Sequence, residues 1–590
     1  MRTFSTSIRG ARQAIVILAA VFLTLSLTAG GARPQAAPGR DQSQHPAPSA
    51  QPVVSQTAPA AAPARPAPPS TTAESTGYAA TSTYAEVMAF VRDLQKLSPL
   101  IRVETLCTSA EGRDVPLLVV GNPALLDPLA LRSGKRIAVY IQANIHAGEV
   151  EGKEASLMLI RDILLDPKLP YLDKIVLLIA PIFNADGNDK MSADNRRGQN
   201  GPALAGVRHN GQNLDLNRDA MKLESPEMRG LVRNVLVRWD PLLLVDLHTT
   251  DGSFHEEPVT YSWPLCPNGD PAILAFTRDK MLPAVAATLE KKYRTLSLQY
   301  GDPKDFRDME KGWQTFGHQP RFVTNYIGLR NRFSILDENY NYADFKTRVL
   351  GCYNFLKAIL DYCDGHAEEM SRLAAEADRK TVQAGMAPKE TDTFGLDIDI
   401  RALPEKVRVR GFEMEPPAPG QDRGPFPQMK PSDRKKTYVL PYFADFFAKR
   451  TVRLPYAYLI PLYDDDVPAK LRAHGLAVER LAEPATLEVE AFKPKEIKPA
   501  ERLYQGHRMN NVKGEYAVET REFPKGTLVV RLAQPLGRLA AYLLEPESDD
   551  GLLVWNAFDR YLVSEWGRGF RTYPVYKLAT PRDLAADGLD

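Results

Sequence analysis

Three stretches, "RIAVYIQAN" (136–144), "KIVLLIAPIFN" (174–184) and "PLLLVDLH" (241–248), are apolar without the alternation of a half-exposed strand. A strand that is apolar on both faces must be covered on both faces, and the segments between these three have the apolar spacing of helices that could do so. The chain is thereby held to an α/β class, a sheet between helices. The helical stretch "TYAEVMAFVRDLQKLS" and the short strand "VPLLVVG" (115–121) precede the three, and a further strand, "RFSILDE" (332–338), follows them.

The rest of the 590-residue chain divides by texture, and 44% hydrophobic with 25% charged residues gives more core than one ordinary domain needs. Arg2, Arg9 and Arg12 precede the apolar run "AIVILAAVFLTLSLTAG" (14–30), which is then followed by small residues. That order predicts a secretory signal over 1–31 and a secreted or periplasmic protein, with a membrane as partner only if the signal stays uncleaved. Residues 32–78, rich in Pro and Ala, cannot bury enough surface to fold and are predicted as a disordered linker. The sheet region is predicted over 79–370, a helical connector over 371–400 and a β-rich accessory domain over 401–590, where alternating strands such as "GTLVVRLA" and "AAYLLEP" dominate. Lys plus Arg (74) and Asp plus Glu (73) nearly cancel, so no overall field favours nucleic acid or an acidic polymer. The four cysteines make no metal pattern. Cys352 and Cys363 fall in one predicted helix about 16 Å apart, too far to bridge, and read as core thiols.

In open α/β sheets, ligands bind outside the carboxyl ends of the strands. Four strand ends here carry polar groups. The first runs into "NIHAGEVEGKEA" (144–155) with His146 and Glu149, the second into "NADG" (184–187), the third ends on His248, and the fourth on Asp337 and Glu338. His-x-x-Glu alone is a weak signal, and Glu149 alone would read as a first-turn helix carboxylate. With His248 the set becomes two imidazoles and a carboxylate, the donors of a catalytic zinc that leaves a position for water. Gly148 keeps a side chain from crowding the metal.

Taken in order, "HAGEVEGKEA", "NADGNDK", "NLDLNRD", "LLLVDLHTT" and "RNRFSILDEN" resemble the zinc carboxypeptidase superfamily, peptidase family M14, and its secreted bacterial members. The resemblance spans about 80–365. It implies a mixed, mainly parallel eight-stranded sheet between helices, one zinc ion per chain, and hydrolysis at the C-terminal end of peptides with a free carboxylate. By position it makes His146, Glu149 and His248 the zinc ligands, and Asp215 the aspartate that fixes a ligand histidine's tautomer. Asn217 and Arg218 would hold the substrate carboxylate, Glu338 would be the general base, Arg196 or Arg197 would stabilise the oxyanion, and Tyr326 would either cap the substrate or be a core tyrosine. "SILDEN" inserts Asp337 before Glu338, so a one-residue slip would exchange their roles; "ILxEN" resembles the bacterial subgroup and favours Glu338. "SFHEEP" with His255, Glu256 and Glu257 reads as a polar loop near the pocket. "LLEPESDDGLLVWNAFD" (543–559) is also similar to the C-terminal part of such proteins, with no role implied. Two rival functions fit the same residues. One is a zinc deacylase or amidase acting on acyl amino acids or cell-wall peptides, and the other a secreted, non-catalytic binding protein.

Overall fold

A computed structural model describes residues 67–121, 127–133, 136–250, 252–416, 429–562 and 569–589. The expected signal and most of the expected linker lie outside the described residues. Pro66–Asp590 forms one compact unit.

In chain order the strands are β1 (Ile101–Thr108), β2 (Asp114–Val120), β3 (Ile137–Ala143), β4 (Ile175–Ala180), β5 (Leu243–Thr250), β6 (Val259–Ser262), β7 (Ser297–Gln299), β8 (Asp302–Pro303), β9 (Trp313–Gln314) and β10 (Phe333–Tyr340). Eight of them make one mixed sheet in the order β1-β2-β4-β3-β5-β10-β6-β7. Its centre, from β4 through β3 and β5 to β10, is parallel. The β1–β2, β2–β4 and β10–β6 pairs are antiparallel. Every residue of β3, β4 and β5 is buried, as strands covered on both faces require.

The helix Glu151–Leu165 begins directly beyond the first strand end, with Glu151 and Glu154 in its first turn, where the helix dipole favours negative charge. It packs against β3, β5 and the helix Phe345–Met386. That second helix is 42 residues long and is started by Asp344, whose side chain accepts from the Thr347 amide at 3.0 Å. Its far end meets the β-rich region at Gly385, where a Cβ would lie 2.3 Å from the amide nitrogen of Ala533, so only glycine fits. Beyond it, β11 (Thr393–Glu415) and β12 (Lys430–Arg453) form a long hairpin that β9 and β8 extend to four strands. A seven-stranded sheet follows, made by β13 (Ala457–Ile460), β14 (Glu479–Leu481), β15 (Ala485–Pro499), β16 (Asn510–Phe523), β17 (Leu528–Arg531), β18 (Tyr576–Leu578) and β19 (Ala586–Gly588). All four cysteines are free. Among the described residues no helix is long and apolar enough to cross a membrane.

Candidate metal centre

The chain leaves β3 through Asn144, whose φ of +64° turns the backbone sharply. Asparagine tolerates this left-handed conformation, and its side chain then ties the turn, donating from Nδ2 to the carbonyls of Ala147 at 3.1 Å and Glu149 at 3.2 Å. The Glu149 amide closes the turn on the His146 carbonyl at 2.9 Å. His146 and Glu149 are thereby set on one side. Gly148 is needed for another reason than the metal: a Cβ there would meet Cγ of Arg196 and the carbonyl of Gly206, each at 2.7 Å.

His248, on the adjacent β5, completes the set. One donor atom from each of His146, Glu149 and His248 lies within 4.8 Å of the others, and all three residues are buried. The atoms are Nδ1 of both histidines and the Glu149 carboxylate: the Nδ1 atoms are 3.2 Å apart, and the carboxylate oxygens lie 3.1 Å from His146 Nδ1 and 2.9 Å from His248 Nδ1. On the far side of each ring stands another carboxylate. His146 Nε2 is 2.9 Å from Asp215 Oδ1, and His248 Nε2 is 3.0 Å from Asp246 Oδ2, closer than the Asn217 amide nitrogen at 3.3 Å. Asp215 accepts the Nε2 proton of His146 and leaves its Nδ1 as a lone pair. Two Nδ1 atoms facing each other beside a carboxylate fit a bound cation, and the donor types fit zinc. Against the desolvation of burial, Asp246 and Glu149 raise the His248 pKa well above its ordinary value, while the charges of His146 and Arg196 hold Glu149 far below the usual carboxylate range.

Asp215 does three things at once. Oδ1 also accepts from the Asn217 amide at 3.1 Å, starting the 3₁₀ turn Leu216–Arg218, and Oδ2 accepts from Arg208 Nε at 2.9 Å. Its carboxyl is buried, yet His146 and Arg208 hold its pKa well below the ordinary value.

A cavity of about 250 Å³ opens over these donors. Arg196, Asn217, Arg218 and Glu338 line it; Arg197, Asp337 and Tyr326 do not. The Arg196 side chain is 16% exposed and approaches Glu149 Oε1 at 3.3 Å, whereas that of Arg197 is 77% exposed and pairs with Asp194. The Arg218 guanidinium stacks 4.3 Å from the Phe322 ring centre and donates to the Asn217 carbonyl at 2.7 Å, with no carboxylate in ion-pair range among the described residues. The Asn217 side chain is turned inward and accepts from the Val323 amide at 2.9 Å.

Tyr326, open between a substrate cap and a core tyrosine, is fully buried in the helix Val323–Leu329, with its hydroxyl on His474 Nδ1 at 2.8 Å. The "NADG" turn lies behind the cavity, where Asn184 Nδ2 donates to the Arg208 carbonyl at 3.1 Å. The "SFHEEP" loop is pinned to β11: the Glu256 amide donates to the Arg410 carbonyl at 2.7 Å, and Arg410 reaches Glu257 at 3.0 Å. Arg208, Tyr300, Phe316 and Phe322 also line the cavity. They come from irregular segments, and no motif in the sequence marks them.

Comparison with known proteins places residues 87–249 within the family model described as zinc carboxypeptidase, Peptidase_M14. "Carboxypeptidase 2" of Trichophyton tonsurans is 21% identical over 495 residues, covering 77% of this chain and 81% of that protein. Among solved structures, a metallo-carboxypeptidase from Burkholderia cenocepacia aligns at 18% identity over 48% of this chain and 70% of its own, with a TM-score of 0.36. The carboxypeptidase A from Helicoverpa armigera aligns at 18% identity over 50% and 74%, also with a TM-score of 0.36.

Proposed function

Because this chain carries a zinc carboxypeptidase domain of peptidase family M14, we propose that it hydrolyses the last peptide bond of peptides with a free C-terminal carboxylate. The observation that carries this reading is one cavity lined by His146 and Glu149 of the three-donor cluster and by Arg218, which has no carboxylate in ion-pair range among the described residues. His146, Glu149 and His248 would hold the ion. Zinc, when bound there, acidifies water to a pKa of about 7 and polarises a carbonyl.

The chain's own groups supply the rest. Glu338 takes the proton of the attacking water and returns it to the leaving amine. Arg196 faces the cavity beside Glu149 and stabilises the developing oxyanion. The Arg218 guanidinium offers a forked match to the terminal carboxylate, and Asp215 holds His146 in the tautomer that keeps Nδ1 free. Tyr300, Phe316 and Phe322 give the cavity an aromatic wall, which suits an apolar C-terminal side chain. Export remains part of the proposal, on the basic and apolar start of the chain.

The test is a matched pair of N-acylated dipeptides ending in phenylalanine, one a free acid and one an amide. The wild type should cleave the acid and spare the amide, which lacks the charge that a guanidinium reads. Arg218→Ala should lower kcat/KM on the acid by at least about 30-fold, the low end of the roughly 2–5 kcal/mol lost when a buried charge pair is truncated. Equal cleavage of both peptides by the wild type would show that no terminal carboxylate is read.

A further inference from the structure

The β-rich C-terminal region touches the cavity's walls at a few specific points. Gln505 Oε1 accepts from the main-chain amide of Asp215 at 2.8 Å. At the other end of the same loop, His507 Nε2 bonds Glu224 at 2.8 Å. A second wall, the segment His318–Phe322, is held by two neighbouring aspartates of the "EPESDDG" stretch. Asp550 accepts from the Arg321 amide at 2.6 Å and forms an ion pair with the Arg321 side chain, Nε lying 3.1 Å away, and Asp549 meets His318 Nε2 at 2.8 Å.

These anchors sit next to the groups that face substrate. Asp215 starts the turn that presents Asn217 and Arg218, and Arg321 directly precedes Phe322, on whose ring the Arg218 guanidinium lies. The Asn217–Val323 hydrogen bond joins the two walls into one unit. The turn bearing Gln505 adds a second line of evidence. Tyr504 and His507 exchange both main-chain hydrogen bonds, and the two central residues are left-handed, Gln505 at φ +52° and Gly506 at +81°. Such a turn favours Asn or Gly at both central positions. A glutamine there costs on the order of 1 kcal/mol in backbone strain, and in this fold what it supplies is the side-chain acceptor for Asp215. Local rules broken in this way cluster at functional sites.

We propose that the C-terminal region sets the position of Arg218, with Gln505, Asp549 and Asp550 as positioning residues for recognition of the substrate carboxylate. The proposal rests on the function proposed above. The Tyr504–His507 turn fixes one wall and the aspartate pair the other, so the guanidinium is held where a carboxylate can meet both of its arms. Buried Asp550 also neutralises Arg321, a charge that would otherwise be left unpaired beside the cavity.

The decisive variant is Gln505→Gly in the full-length, zinc-loaded protein. Glycine relieves the left-handed strain, so thermal stability should hold or rise. A merely structural glutamine would show its loss as lowered stability. The KM for the free-acid dipeptide should rise about fivefold to tenfold, one hydrogen bond's share, with kcat within about twofold and one zinc per chain retained. Gln505→Glu keeps the acceptor oxygen and should restore the wild-type KM, while Asp550→Asn should raise KM as Gln505→Gly does. Calorimetric titration of the same variants with the N-acylated amino-acid product should reproduce the shifts without turnover. An unchanged KM and unchanged product affinity in Gln505→Gly, with the wild type still discriminating acid from amide, would overturn the positioning role alone. Equal handling of acid and amide by the wild type would overturn both readings together.

Discussion

Glu338 stands directly opposite His248 in the parallel register of β10 and β5, and Asp337 stands opposite Leu247. Successive side chains of a strand point to opposite faces of the sheet. Glu338 therefore shares the cavity face with the third metal donor. Asp337 lies on the opposite face, fully buried, where it accepts from Asn339 Nδ2 at 3.1 Å.

From this relationship, Glu338→Gln should lower turnover by about 100-fold to 10,000-fold while zinc stays bound, because the amide keeps the shape and cannot take a proton. Asp337→Asn should leave kcat within severalfold of wild type. Steady-state kinetics beside metal analysis reads both variants, and the opposite pattern would move the general base to Asp337.

The donor set predicts that His248→Ala removes tight zinc binding along with activity, since the remaining histidine and carboxylate hold the ion poorly. After dialysis against a weak chelator, the wild type should retain one zinc per chain and the variant close to none. Full stoichiometry in the variant would place the metal elsewhere.

Arg196 and Arg197 are neighbours with opposite surroundings, one in the cavity and one in solvent. Removing an oxyanion donor costs about 100-fold to 1,000-fold in kcat. Arg196→Ala should fall in that range and Arg197→Ala should behave as wild type. If Arg197→Ala proves the damaging change, the assignment between them is reversed.

Asp337 also predicts a pH dependence of stability. Desolvation by burial lifts its carboxyl to about 7, against an ordinary value of 3.8. Below about pH 4 the group is protonated whether the chain is folded or unfolded, and its ionisation costs the fold nothing. Between about pH 4 and 7 the unfolded chain sheds the proton that the native state keeps, so this group lowers stability progressively as pH rises, and the full penalty is present above 7. Asp337→Asn removes the penalty. Its Tm relative to wild type should therefore be higher at pH 8 than at pH 5, as differential scanning calorimetry can measure; an offset that does not change with pH would mean the carboxyl ionises normally.

What the sequence revealed follows from where each residue sits in the chain. His146, Glu149, His248 and Glu338 lie on or just beyond apolar runs, so the rule that ligands gather at strand ends finds them without any contact being known. That a sheet lies between helices was readable for the same reason, from strands too apolar to face water; its eight strands and mixed directions came only through the resemblance to the zinc carboxypeptidase superfamily. Arg196 and Arg197 could not be separated, because which neighbour turns inward depends on the close approach of Arg196 to Gly148. Tyr326 was left open between a substrate cap and a core tyrosine, because the partner that buries it, His474, lies 148 residues away. Gln505 was invisible for the same reason: its significance lies in a left-handed turn and in an amide from a distant loop.

The groups that would do the chemistry rise from three adjacent strands: His146 from the turn after β3, His248 from β5 and Glu338 from β10. Neighbouring strands are spaced about 4.8 Å apart by their peptide hydrogen bonds. The backbone thus acts as the ruler for the centre, and side-chain packing has only to aim the rings. Loosening the core should blur the walls of the cavity long before it changes the spacing of the donors. Loss of metal and loss of amide-exchange protection in β5 should then be one event along a denaturant series, with the ion reporting on the integrity of the sheet beneath it.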